Sequence, residues 1–511
     1  MILKTNMWFR IIFVMFIMFT FYGCAKLSKT PKNTLVVPIE AMPTTLDPRF
    51  ATDAYSQWLT SLIFDSLVRV NKNLEPEGEA ASSIQMLDEK TYLFSLHPDL
   101  VFHNGKRVTA EDVVWSYSNY VDPQVASPFA AAFKKIRTIN ALDKDTIKIT
   151  LDQPFAPFLV DLSLLKILPK EAGSPPNPSF SKAPIGTGPF KTVLLSQSSA
   201  ELERVDKSGD RIERVNFILV QDANTRFLKL KQREVDLLQN TLDLHLIPEV
   251  KKDDNLVFVS EPGITYQYLI FNFRDPILKN IKVRHAIAHA INREMIIRFL
   301  LSNAATEATS LLSPQNKYFR SGLRHYSYDL VKAKKLLDEA GLKDPDGDGP
   351  LPRFKLEYKT SNSNDATDLA QAIRDQLHSV GIEINVRTYE WGTFYQDLKT
   401  GNFQIASGRL VGITDPDIYF DIFSSSRFAP EGRNRGYYSN KELDDLLERG
   451  RVTTLFEKRR PIYDKVQEIV ANEVPYLSLW YLNNVAAYRK GISGYEMYPN
   501  GSYRFLINIH K

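Results

Sequence analysis

The chain has 511 residues, 43% hydrophobic and 24% charged, which is the composition of a globular protein with ample core rather than of a disordered one. Its formal net charge is +4, but residues 1–33 hold five lysines and arginines and no acid, so the remainder carries about −1. A body so near neutrality argues against nucleic acid, which needs a basic stripe, and a single cysteine, Cys24, excludes a disulfide framework or a thiolate metal site.

Length suggests about three domains. The N-terminus predicts a secretory signal: Lys4 and Arg10, then Ile11 to Tyr22 without a charge, then Gly23-Cys24. Twelve such residues fall short of the about 20 needed to span a bilayer. A small residue before Cys resembles a lipobox, in which the thiol is lipidated and becomes the new N-terminus, although Phe21 and Tyr22 are bulkier than is usual there. The expectation is a signal peptide over 1–24, lipidation at Cys24 and a spacer over 25–33; the alternative is an incidental cysteine in an uncleaved anchor.

Further along, Thr109 with Asp112 and Ser439 with Glu442 have capping-box spacing and predict helix starts. Asp145 to Leu151 alternates polar and apolar, as a strand with one buried face does, whereas Tyr266 to Phe273 is apolar on both faces. Asn280 to Ser302 carries Val283, Ile287, Ile291, Met295 and Phe299 at a spacing of four, which predicts one helix with a core stripe. The stripes ending at Ala340 and Val380 are each followed by a glycine, Gly341 and Gly381, suited to a left-handed C-cap.

Catalytic signatures are missing. There is no phosphate-binding G-x-x-x-x-G-K-[ST], no nucleophile elbow, and Ile185 to Pro189 reads as a tight turn rather than a dinucleotide fingerprint. His285 and His289 are four apart, but Ala286 stands where a zinc protease has glutamate, so both are expected to face solvent or core. Asp344-Pro-Asp346-Gly-Asp348-Gly349 opens like a calcium loop, yet its twelfth position is Lys355; a solvated turn is expected, with weak calcium binding as the alternative. No enzyme, cofactor or metal is predicted.

Six blocks recur in one order: Thr45-Leu46-Asp47-Pro48; Phe102 to Lys106 with Val108 to Val113 and Ser116-Tyr117; Ala183 to Phe190; Val283 to Ile287 with Ala290 to Arg293; Val380-Gly381-Ile382 with Tyr389-Glu390-Trp391; and Asp415-Pro416-Asp417. Together they resemble the solute-binding proteins of peptide and nickel ABC importers, family 5. The resemblance implies an α/β, two-lobed periplasmic-binding-protein-like fold with an extra appended domain. Lobe I would gather 34–70, 181–268 and 480–511, the appended domain 71–180, and lobe II 269–479, with crossings at Tyr266 to Phe273 and Tyr476 to Leu482.

By the same resemblance, the carboxylate that holds a peptide's ammonium falls at Gly412, the upstream tryptophan at Arg409, and the arginine that clamps its carboxylate at Thr360. Both terminal anchors are thus absent, a loss of about 2–5 kcal/mol per desolvated charge left unpaired, unless Asp415 or Asp417 takes the role. Arg409 offers a donor fork suited to a carboxylate or phosphate; alternatively it pairs with Asp415 or Asp417 across the turn. Main-chain pairing of an extended peptide along Arg409 to Ile413 is a further source of affinity. Thr52, Asp53 and Tyr55 occupy the segment where the first lobe meets ligand, with Tyr55 otherwise a rim aromatic. Trp391 is expected in the core, or else stacked on ligand.

The expected protein is a monomeric, lipid-anchored, extracytoplasmic receptor that hands a peptide or peptide-like solute to permease and ATPase subunits. Rival readings are a non-peptide cargo (an anionic solute or metal chelate) and a signalling or adhesion lipoprotein without transport.

Overall fold

In the computed structural model, which describes residues 30–207, 209–347 and 349–511, the first strand, Thr34–Ile39, runs parallel to Arg214–Leu219. That strand continues antiparallel into Ser199–Arg204 and Phe190–Leu195 to complete a four-stranded sheet. Cys24 and Asp348 lie outside the described residues. A second four-stranded sheet, Ala81–Asp88, Thr91–Leu96, Thr146–Leu151 and Ile136–Ala141, is wholly antiparallel. In it Ile147, Ile149 and Leu151 face inward, as their alternation requires.

The third sheet sets the architecture. Its two central strands, Leu256–Phe271 and Tyr476–Arg489, pair antiparallel from Leu256↔Arg489 to Ile270↔Tyr476. At 16 residues the first of them extends about 53 Å, longer than one ordinary core is wide. Its early part packs with Phe227, Leu230, Val250 and Val485, whereas Leu269 and Phe271 sit among Ile287, Leu356 and Ile373. The ladder slips between Glu261 and Thr265 and again between Gln267 and Tyr268, where the pair passes from one core to the next. Beyond it lie Ile405–Leu410, Phe354–Ser361 and Ile382–Tyr389. Tyr266, Leu269, Ile270 and Phe271 are buried, as a strand covered on both faces demands.

Several sequence blocks are explained by packing. Asp47 and Arg49 form a fully buried pair at 2.7 Å, and Arg49 also donates to Asn119 and to the Gly173 carbonyl. The turn at Gly186 and Gly188 lies flat on the end of the helix Ala54–Ile63: a Cβ there would stand 1.9 Å from the Ile63 carbonyl oxygen or 2.6 Å from that of Leu62. Only glycine allows that approach. The Thr109–Asp112 capping box is formed, and Gly341 and Gly381 take positive φ past their helices.

Two expectations are corrected, and the reading of the two histidines is met. The helix predicted over Asn280–Ser302 is two helices, Ile281–Ala290 and Arg293–Phe299, because the Asn292 side chain accepts from the Met295 amide and starts a new helix. Met295 and Phe299 consequently leave the core, at 51% and 69% exposure. The later helix is capped not by Ser439 but by Asn440, whose Oδ1 accepts from the Leu443 amide at 3.0 Å. His285 and His289 are buried, their ring nitrogens turned to the carbonyls of Asn472 and Ser327 on either side of Tyr326, so they serve the core.

Candidate functional site

Strands Phe354–Ser361 and Ile382–Tyr389 are parallel, and Tyr358 pairs parallel with Ile405, so all three carboxyl ends meet at one edge of the third sheet. Two helices begin there, Asn364–His378 and Trp391–Thr400. In open α/β sheets the crevice outside the carboxyl ends is where ligands sit.

Arg409 lies on this edge opposite Gln267. Its Nε donates to Gln267 Oε1 at 2.7 Å and its Nη2 to Asp365 Oδ2 at 2.6 Å. Both charged side chains remain about half exposed, 43% and 55%. Burial alone would raise the Asp365 carboxyl, but the Arg409 charge and the hydrogen bonds from Ser363 and Arg409 outweigh it and hold the group below the usual carboxylate range. Thr360, at the end of its strand, is buried with its hydroxyl 3.3 Å from that of Ser407.

The alternative pairing of Arg409 with Asp415 or Asp417 is overturned. Gly412 takes φ +72° with no atom within 4 Å of its would-be Cβ, and after it the chain turns toward the C-terminal helices. Asp415 accepts a bidentate pair from buried Arg459 at 2.8 and 2.7 Å, and Asp417 accepts from Arg451 Nε at 2.9 Å. Burial, reinforced by the neighbouring Asp415 charge, pushes Asp417 up to about 6 against the pull of Arg451.

Trp391 is not a core residue. It is 59% exposed, stacked on Tyr395 at 5.7 Å and 22°, and the Arg435 guanidinium lies 5.1 Å from the Tyr395 centroid. The helix starts on the edge with only Phe394 and Leu398 facing inward, so its first residue is left outside.

The first-lobe segment is built differently. Asp53 caps the helix Ala54–Ile63, accepting from the Ser56 amide at 2.9 Å and from the hydroxyls of Ser56 and Thr44 at 2.5 and 2.6 Å. Burial opposes ionisation there, but these donors win and hold the carboxyl low. Tyr55 is buried against Trp58, its hydroxyl accepting from the Glu40 amide at 3.4 Å; Thr52 is exposed. Arg409 and Thr360 therefore share one edge, Asp415 and Asp417 face away into ion pairs, and Thr52, Asp53 and Tyr55 stand on another sheet's helix.

Sequence reasoning missed Asp365, Gln267, Tyr395 and Arg435. The polar run Ser361-Asn362-Ser363-Asn364-Asp365, between a strand and a helix, is the available signal. Two concavities are present elsewhere: one lined by Arg293, Ser310, Tyr326 and Gln467, the other by Arg274, Asp275, Glu357 and Gln404; neither includes Arg409 or Trp391.

Residues 75–430 match the family model described as bacterial extracellular solute-binding proteins, family 5 Middle. The chain belongs to this family. It is 27% identical to the dipeptide-binding protein of Escherichia coli K12 over 93% of this chain and 94% of that protein. Among solved structures it is similar to the oligopeptide-binding protein AppA of Bacillus subtilis in complex with a nonapeptide, with 25% identity, TM-score 0.78, and 93% and 98% of the two chains covered. It is similar also to NikZ of Campylobacter jejuni in complex with Ni(L-His), with 26% identity, TM-score 0.78, and 94% and 100% covered. The chain is accordingly a two-lobed α/β protein of the peptide-binding type, and its relatives are solute-binding proteins rather than enzymes. No helix of the described residues is long and apolar enough to cross a membrane.

Proposed function

We propose that this protein is the solute receptor of an ABC importer, tethered outside the membrane by lipid on Cys24, which captures a peptide or peptide-like solute and delivers it intact to a permease. In this reading residues 34–70, 181–268 and 480–511 make one lobe, 269–479 the other, and 71–180 the appended domain. The long strand pair Leu256–Phe271 with Tyr476–Arg489, running from one core into the next, supports that division.

The observation that carries the reading is the half-exposed Arg409–Asp365 pair on the carboxyl edge of the third sheet. Relatives' anchors fall at Gly412 and Thr360, which offer no charge, while Asp415 and Asp417 are already engaged by arginines. A zwitterionic solute can exchange with the Arg409–Asp365 pair, its carboxylate taking the guanidinium and its ammonium taking Asp365. Because one ion pair is traded for two, the desolvation cost is partly offset at the outset. Trp391, Tyr395 and Arg435 supply an aromatic ledge on the same edge for a side chain. An anionic solute or metal chelate is the second reading, favoured by the Arg435 guanidinium 5.1 Å from the Tyr395 ring centroid.

Thermal unfolding of the full chain, with a panel of di- and tripeptides and with nickel plus L-histidine as probes, tests this. A probe at 100 times its Kd stabilises by about 2.7 kcal/mol. Arg409→Ala is expected to abolish that shift; an undiminished shift refutes the assignment.

A further inference from the structure

Thr30 and Pro31 are fastened to the body of the protein. Thr30 Oγ1 donates to Asp236 Oδ1 at 2.8 Å. Lys511 Nζ donates to Asp236 Oδ2 at 2.8 Å and to the carbonyls of Pro31 and Thr34 at 3.0 and 2.6 Å. Arg489 Nη1 reaches the same carboxylate at 2.8 Å and Thr30 Oγ1 at 3.1 Å. Asp236 is fully buried and accepts from the Val36 amide as well, so this clasp is part of the core rather than a surface contact.

One end of the molecule is gathered around the clasp. Strands Thr34–Ile39, Leu237–Gln239 and Leu256–Phe271 start there and Tyr476–Arg489 ends there: Leu237 stands opposite Tyr488, Leu256 opposite Arg489, and the Asp236 amide donates to the Val36 carbonyl. The segments leading into or out of these strands carry Lys32, Lys231, Arg233, Lys251, Lys252 and Lys490, all exposed or half-exposed. Among the described residues, only Lys252 of the six has an ion-pair partner, Glu249 at 3.2 Å. The acids of the same segments are mostly engaged, Glu234 by Lys229 and Asp236 by Arg489 and Lys511, which leaves Asp253 and Asp254. A body of near-neutral charge thus has one cationic end.

We infer that this end is a docking face for an anionic lipid surface, a geometry that rests on the proposed lipid at Cys24. Six residues lead from Cys24 to Thr30, and at about 3.3–3.6 Å each they reach no further than about 22 Å by any path. The clasp keeps the cationic end within that radius of the headgroups, close enough to enter the about 10 Å over which their field acts at 0.1 M salt. Each lysine or arginine brought to such a surface strengthens the contact about fivefold. The Arg409 edge lies opposite Gln267, eleven residues beyond Leu256 and about 36 Å along the strand. A molecule resting on its cationic end therefore holds the candidate site clear of the lipid.

Cys24 is the one thiol in the chain, so residues 24–511 can be coupled through it to a maleimide lipid, which supplies the tether whether or not a cell does. The coupled protein is placed on vesicles of phosphatidylcholine alone or with one-third phosphatidylglycerol, and acetylation is read lysine by lysine by mass spectrometry. Lys251, Lys252 and Lys490 should react about fivefold more slowly on the anionic vesicles at 0.1 M salt, and lose that protection at 1 M, where the screening length falls to about 3 Å. Lys355 and Lys399, at the opposite end of the strand pair, should react alike on both vesicles.

Replacing Lys251, Lys252 and Lys490 together by glutamine should remove most of the difference between the vesicles at Lys32 and Lys231. The unfolding midpoint should stay that of the parent, since all three side chains are exposed. Equal reaction on both vesicles, protection that persists at 1 M salt, or protection at Lys355 and Lys399 instead, overturns the docking face. Because the coupling is chemical, the two readings fail separately. Protection here with no lipid on Cys24 in cells leaves the face and removes the anchor; lipid on Cys24 without protection here leaves the anchor and removes the face.

Discussion

Replacing Arg459 by leucine separates a structural turn from a ligand site. Arg459 is 2% exposed, and its two Nη atoms reach the Asp415 carboxylate at 2.8 and 2.7 Å while Nε donates to the Gly450 carbonyl. Its guanidinium also lies 5.2 and 5.1 Å from the ring centroids of Tyr318 and Tyr463. Two hydrogen bonds between charged groups at about 1.5–3 kcal/mol each set the scale. Their loss leaves Asp415, 13% exposed, as an unpaired charge under protein. Breaking one partner of such a pair costs about 3–5 kcal/mol, whereas replacing both by apolar groups is often near neutral. Denaturant unfolding of the full chain, followed by circular dichroism, should show the Arg459→Leu protein weakened by about 3–5 kcal/mol. Asp415→Leu added to it should restore most of that loss. A single-variant loss below about 1 kcal/mol, or further weakening in the double variant, would refute the claim that Asp415 is held for structure rather than kept for cargo.

Trp391→Phe should change stability by less than about 0.5 kcal/mol, since the ring is largely outside, yet remove an acrylamide-quenchable part of the tryptophan fluorescence; a large loss of stability would return Trp391 to the core. Asp53→Ala should cost about 1 kcal/mol as a lost N-cap, measured by denaturant unfolding at neutral pH. Because Asp53 is held below the usual carboxylate range, its contribution is present above that range and is lost as pH falls through it, so the parent and the variant should converge in acid. Asp53→Asn should keep most of the cap and lose that pH dependence, which a pH series of unfolding midpoints would reveal.

Elements with a strong local signal are legible in the amino-acid order itself. Thr109 and Asp112 make their capping box because a hydroxyl and a carboxylate three residues apart answer orphan amides without help from the rest of the chain. Gly341 and Gly381 take positive φ for a similarly local reason. The long stripe from Val283 to Phe299 misleads, since periodicity does not register that Asn292 can accept from an amide three residues on and begin a second helix. Trp391 misleads because a large aromatic suggests burial, whereas its place on the first turn of an edge helix leaves it no neighbour on one side.

The candidate site divides along the same line. Arg409, Gly412 and Thr360 are identifiable in the chain as positions, and that Gly412 and Thr360 carry no charge follows from residue identity alone. Which acid faces Arg409 is beyond the sequence: Asp365 is 44 residues away and reaches it because two parallel strands end at one edge. Family membership, the close-packed glycine turn and the near-neutral body follow from residue identities and their order, which act locally and survive any rearrangement. Charge partners and the contact of Phe155 and Ala156 with Arg451 are decided only by tertiary structure, since Coulomb forces and hydrogen bonds act through a few ångströms of space and carry no trace in sequence separation.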